Sequence, residues 1–119
     1  MATLPNIEPA IDPQDLERLL IARQWAGDVD GMVALFEPTA IIDTGDSPLI
    51  IGHEAIRALF SGFGASGRKF TASVQNPAIV NGDLAMTSTR MPDGTVTSEV
   101  ARRQNDGTWR GVIDRYSVT

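Results

Sequence analysis

Apolar residues recur at helical spacing in the first half of the chain and alternate at strand spacing in the second, with the change near residue 65. Leu16, Leu19 and Leu20 fall on one helix face, with Ile21 and Trp25 four apart beside them. Asp12 and Pro13 supply a capping side chain and a preset first helical φ, Asp15 adds negative charge to the first turn, and Gly27 marks the far end. A second, shorter helix is predicted from Asp28 or Asp30, lining up Val29, Met32, Val33 and Phe36, with Pro38 as its stop. A third runs from about 53 to 60 and puts Ile56, Leu59, Phe60 and Phe63 on one side, before the glycines at 62, 64 and 67 dissolve it. Residues 40–43 and 49–51 read as a short accessory pair of strands around the turn-rich segment 44–48.

Four longer strands are predicted after residue 65, at about 70–80, 84–90, 95–104 and 108–118. Asn81-Gly82, Pro92-Asp93-Gly94 and Asn105-Asp106-Gly107 separate them, and each suits a tight hairpin turn. The expected fold class is therefore α+β: a cone of three N-terminal helices packed on a curved, mostly antiparallel sheet. Residues 1–11 carry two prolines and no period and read as an arm, leaving 12–119 as a single domain.

The strand faces are mixed. Val96, Ser98, Val100 and Arg102 share one face of the third long strand, and Thr97, Glu99, Ala101 and Arg103 share the other. On the last strand Trp109, Gly111 and Ile113 oppose Arg110, Val112, Asp114 and Tyr116. A sheet with apolar groups on both faces needs two partners, so helices are expected on one side and a second copy of the chain on the other. The dimer face would carry Val96, Val100, Trp109 and Ile113. The helix side would carry Arg90, Glu99, Asp114 and Tyr116, with Arg90 bonded to Glu99 or Asp114 because a lone charge under helices is costly. Such a set either fixes strand register or forms the polar end of an apolar pocket.

Composition and charge narrow the chemistry. Of the 119 residues 42% are hydrophobic and 21% charged, a folding balance rather than a disordered one. The net charge of −5 and the absence of any basic run longer than a pair such as Arg102-Arg103 argue against nucleic acid. No apolar run approaches the roughly 20 residues that span a bilayer, and the first residues lack the pattern of a secretory signal. Without cysteine there is no disulfide or thiolate chemistry, which fits a reducing cytoplasm. His53 is the only histidine and reads as a surface residue at a helix start, so neither a histidine metal site nor a Ser-His-Asp triad has its partners. The glycines follow a helix rather than a strand and fit no phosphate loop, and no cofactor is expected. Asp43 ends an apolar strand: on a pocket wall it would be desolvated into a general base, and otherwise it opens its own turn by bonding backbone amides.

The order of Gly27-Asp28, Leu35-Phe36-Glu37-Pro38 and Gly52-His53-Glu54-Ala55-Ile56-Arg57 resembles the nuclear transport factor 2-like superfamily, which includes ketosteroid isomerase and the SnoaL-like polyketide cyclases. The likeness runs from about residue 12 to 118. Asp43 stands nine residues before Gly52, where the isomerase carries its base, and Glu99 falls where a protonated carboxyl donates to the oxyanion. Leu20 replaces the oxyanion tyrosine, and Arg90 and Asp114 replace apolar cavity positions, so the resemblance does not extend to a faithful steroid isomerase. The segments 99–104 and 106–110 are similar to small bacterial members for which the resemblance implies a fold, a dimer and a pocket.

The expectation is a cytoplasmic homodimer whose internal pocket binds a small, largely apolar carbonyl compound and performs cofactor-free acid–base isomerisation or cyclisation. Asp43 would take the proton and Glu99 would stabilise the oxyanion. Arg90, Asp114 and Tyr116 would tune and orient, and Leu20, Trp25, Ser88, Ala101 and Val112 would complete the wall. A non-catalytic ligand-binding or dimerisation module is the alternative, gaining ground if Asp43 bonds its own turn. Water addition to an epoxide is the third reading, through an arginine set among carboxylates.

Overall fold

The computed structural model describes residues 8–46 and 48–119. Most of the expected arm, residues 1–7, and Ser47 of the turn lie outside the described residues. The described end of the arm is docked: Ala10 is buried, its carbonyl accepts from the Trp109 amide, and the Glu8 carbonyl accepts from Arg23.

Three helices come first: α1 (Asp15–Trp25), α2 (Val29–Val33) and α3 (Gly52–Ser66). Asp12 and Asp15 order the turn before α1, the Asp12 carboxylate accepting from the Gln14 amide and Asp15 from the amides of Ile11 and Asp12. Leu19 is fully buried, and Arg23 and Gln24 are buried beside it, so the core side of α1 is not purely apolar. Asp28 caps α2 by accepting from the Gly31 amide at 2.9 Å. A Cβ at Gly31 would sit 2.0 Å from that carboxylate, so a side chain there would displace the cap.

Two helix expectations need correction. The second helix ends at Val33, so Phe36 opens β1 (Phe36–Asp43) and Pro38 lies within that strand instead of stopping a helix. Its pairing is irregular between Phe36 and Ile41, and in that gap a proline costs no ladder bond. The third helix runs past Gly62 and Gly64, which face open space, and stops at Gly67 with φ +74°. Each exposed glycine weakens a helix by about 1 kcal/mol, less than the burial of Ile56 and Phe60 and the packing of Leu59 and Phe63 return.

The strands are β1, β2 (Ile50–Ile51), β3 (Val74–Gln75), β4 (Ile79–Asn81), β5 (Leu84–Thr87), β6 (Thr89–Arg90), β7 (Ser98–Arg103) and β8 (Trp109–Arg115). Six form one open, mixed sheet in the order β2-β1-β8-β7-β5-β4, and β3 pairs with β6 alone. Four of the five pairings in the large sheet are antiparallel; β1 lies parallel to β8, so the expected accessory pair is built into the main sheet. The single strand expected over 70–80 is two short ones flanking Pro77, which has no amide to donate. The class is α+β, with α1 and α3 packed against the large sheet, and no described helix is long and apolar enough to cross a membrane.

One residue changes the facing of β8. Val100 pairs with Ile113 and Ala101 with Gly111, so Val112 is an extra, bulged residue. Before it, Trp109 and Gly111 face the core; after it, Asp114 and Tyr116 face inward while Ile113 points out. Strict alternation had placed Trp109 with Ile113 on a dimer face. Trp109 is instead 6% exposed, in the core.

Candidate functional site

A cavity of about 250 Å3 lies between α1, the chain after α3 and the inner faces of β5, β7 and β8. Leu16, Leu20, Ile21, Leu35, Phe36 and Phe70 make its apolar walls. Gln24 ties the chain after α3 into place, donating to the Arg68 carbonyl and accepting from the Phe70 amide. Gly111 opens the floor, since a Cβ there would come 2.9 Å from the Phe36 ring.

The polar groups inside are Glu17, Thr87, Thr97, Glu99, Asp114 and Tyr116. Glu99 and Asp114 are register partners on adjacent antiparallel strands, which puts two carboxyls side by side on the inner face. No arginine pairs with either of them among the described residues. Thr87 donates to Glu99 Oε1 at 3.3 Å, whereas Glu99 Oε2 is buried without a partner among the described residues. Burial raises the pKa of Glu99 to about 7, against the neighbouring hydroxyls of Thr97 and Thr87 and with help from the charge of Glu17. Burial, reinforced by Glu99, pushes Asp114 well above the usual carboxylate range. Tyr116 is likewise driven up by burial and by the neighbouring Asp114. Two opposed carboxyls in low dielectric cannot both ionise cheaply, so the pair favours holding a proton between them.

Five of the ten residues singled out from the sequence meet here: Leu20, Glu99, Ala101, Asp114 and Tyr116. The others lie elsewhere. Asp43 lines a shallow hollow on the outer face, where its carboxylate accepts from the Gly45 amide at 2.9 Å and from Arg115 at 3.1 Å. It opens its own turn, and the structure does not bring it together with Glu99. Arg90 is exposed on β6 and pairs with neither Glu99 nor Asp114, which corrects the expected ion pair. The pairing of Thr87 with Glu99 puts Ala85, Thr87 and Thr89 inward, so Ser88 and Arg90 fall on the opposite parity. Trp25 is 59% exposed and its indole donates to the Phe70 carbonyl from outside the cavity. Val112 is the bulge. His53 is part-buried, its Nε2 within 2.7 Å of the Phe36 carbonyl, and serves to join α3 to β1.

Sequence reading missed Glu17, Thr87 and Thr97. Glu17 follows Leu16 in a helix expected to turn Leu16, Leu19, Leu20, Ile21 and Trp25 inward, and its spacing of three from Leu20 was the available signal. No group of three or more metal-ligating side chains is gathered among the described residues.

Residues 16–115 match the family model described as the SnoaL-like domain. The chain belongs to the SnoaL-like domain family. That match spans α1 to β8, and so contains both walls of the cavity. Solved structures share the SnoaL-like architecture. An NTF2-like protein with a cystatin-like fold from Novosphingobium aromaticivorans is 21% identical, covering 85% of this chain and 75% of its own at a TM-score of 0.65. A ketosteroid isomerase-like protein from Erwinia carotovora atroseptica is 11% identical, with coverages of 89% and 93% and a TM-score of 0.67. A putative calcium/calmodulin-dependent protein kinase type II association domain from Thiobacillus denitrificans is 24% identical, with coverages of 91% and 96% and a TM-score of 0.66. At these identities the likeness establishes the cystatin-like NTF2 fold. No curated protein matches this SnoaL-like chain in sequence.

Proposed function

We propose that this SnoaL-like domain binds a compact, largely apolar carbonyl compound in its cavity and moves a proton at the carbon beside the carbonyl. The observation that carries the reading is the buried, unpartnered Glu99 Oε2 in the cavity, beside the inward-facing Asp114. Ionised Glu99 would accept the α-proton. Protonated Asp114 and the Tyr116 hydroxyl would donate to the carbonyl oxygen as negative charge gathers there. The base falls to Glu99 because Asp43 stands outside the cavity. A ligand-binding module without turnover is the second reading, favoured by that same withdrawal of Asp43. Water addition to an epoxide loses its support with Arg90, which is exposed and away from the carboxyls.

The test uses 1-tetralone in deuterated buffer, with exchange at the α-carbon followed by proton NMR. Wild-type protein is expected to accelerate exchange over buffer, and Asp114→Asn to slow it about 100-fold or more, the usual worth of a donor at a developing oxyanion. Binding without exchange would leave the non-catalytic module.

The outer face of the sheet supports a homodimer. Ile79, Met86, Val100, Ile113, Ile41 and Ile51 are successive register partners across all six strands, a continuous apolar stripe. Four of them, Ile79, Met86, Ile113 and Ile51, are exposed in the single chain. The stripe has three residues on each side of the β7–β8 boundary, so a twofold axis crossing its middle lays it on itself in a second copy. Light scattering is expected to give a dimer mass for wild type and a monomer mass for Ile113→Lys. A wild-type monomer at high micromolar concentration overturns the dimer.

A further inference from the structure

Glu17 stands on the helix wall of the cavity, three residues before Leu20. Its Oε2 accepts from Thr89 Oγ1 at 2.9 Å. Thr89 is 1% exposed and is itself held by its amide, which donates to Thr97 Oγ1 at 3.1 Å. A buried hydroxyl aimed at a carboxylate stabilises the anion and fixes its direction. Glu17, Glu99 and Asp114 therefore share one largely apolar space, with the exposed Asp93 as a fourth acid on its lining, and none of the four forms an ion pair among the described residues.

The cations that border the space are Arg68 and Arg115, both exposed. Arg115 is bound to Asp43, and the Arg68 guanidinium lies 4.8 Å over the Phe63 ring. Neither of these side chains is bonded to a carboxyl of the cavity. An anionic group carried inside would lose its hydration and face acids from both the helix and the sheet, with the exposed Arg68 and the Asp43-bound Arg115 only at the border of the space. Burial raises the proton affinity of Glu17 and the Thr89 hydroxyl acts against that, a donor that Asp114 lacks.

We propose that Glu17 is a specificity-determining residue: held on the helix wall by Thr89, it faces the Glu99–Asp114 pair and restricts the cavity to ligands without negative charge. This deepens, and rests on, the reading of the cavity as a site for a small carbonyl compound.

The test is a pair of probes with one ring system, neutral 2-acetylnaphthalene and anionic 2-naphthoic acid, titrated calorimetrically at pH 8 and low ionic strength. Wild type is expected to bind the ketone at least about tenfold tighter than the acid, the order of a like-charge contact in a partly desolvated site. Glu17→Gln should narrow that ratio at least about threefold, chiefly by gaining affinity for the acid, as expected once one of several like charges is removed. Thr89→Val, which frees the Glu17 side chain, should narrow it too and covers the case in which the glutamine variant does not fold. Equal binding of the two probes by wild type overturns the proposal and leaves the ligand reading standing. So does a ratio unchanged in both variants, or acid binding that vanishes in Arg68→Gln, which would place the charge selection at the rim. Failure of both probes to bind wild type overturns the ligand reading and this proposal together.

Discussion

Glu99→Gln is expected to abolish α-proton exchange and, above neutral pH, to make the protein more stable than wild type. The folded chain holds the Glu99 proton up to about pH 7, while an unfolded glutamate releases it near 4.5. Between those values the folded state binds more protons, so the stabilisation is complete below 4.5 and is lost as pH rises through 7. The shift corresponds to roughly 3 kcal/mol or slightly more lost to wild type by pH 8. Glutamine has the shape of the protonated acid and does not titrate, so the variant is spared this loss. Asp114 is raised partly by the charge of Glu99, so the variant also carries less of that neighbour's burden. Thermal melts from pH 5 to pH 8 should show the two proteins together at the acid end and wild type several degrees lower at the alkaline end. Parallel curves would mean that Glu99 is solvated, and the acid pair would lose its basis.

Phe60→Ala is expected to cost about 3–5 kcal/mol, a large share of the roughly 5–15 kcal/mol that holds a domain of this size. Phe60 is 1% exposed, with its ring 5.8 Å from Phe36, 6.5 Å from Phe63 and 6.5 Å from Phe70, the last edge-on. Phe36 and Phe70 line the cavity, so Phe60 is the backing of its aromatic wall. Truncation leaves a void that rings anchored on β1, α3 and the chain beyond it cannot all move to fill. Urea unfolding should show a lower midpoint with an unchanged slope, and affinity for 2-acetylnaphthalene should fall in the same variant. A loss under about 1 kcal/mol would show a site able to collapse, against the close packing seen around Phe60.

The local pattern of the chain determined what depends on neighbours a few residues apart. The 3.6-residue recurrence of Leu16, Leu19 and Leu20, and of Ile56, Leu59 and Phe60, specified α1 and α3, and the glycine-bearing turns at 82 and 107 delimited the late hairpins. Alternation on β7 was enough to put Glu99 and Ala101 on the cavity side. Asp114 and Tyr116 were also assigned there, but on an alternation that the Val112 bulge breaks, since Trp109 shares their side and Ile113 does not. A bulge is an agreement between two strands and has no mark in either one alone. The parallel contact of β1 with β8 joins residues about 70 apart, and it alone brings Arg115 to Asp43 and takes Asp43 away from the cavity. Glu17 became a site residue in the same way. On its helix it is one more acid in the first turns of α1, and only the packing of that helix over Thr89 turned it inward. The chain's periodicities thus selected the elements, whose causes are local, while the membership of the site was decided by pairings between distant segments.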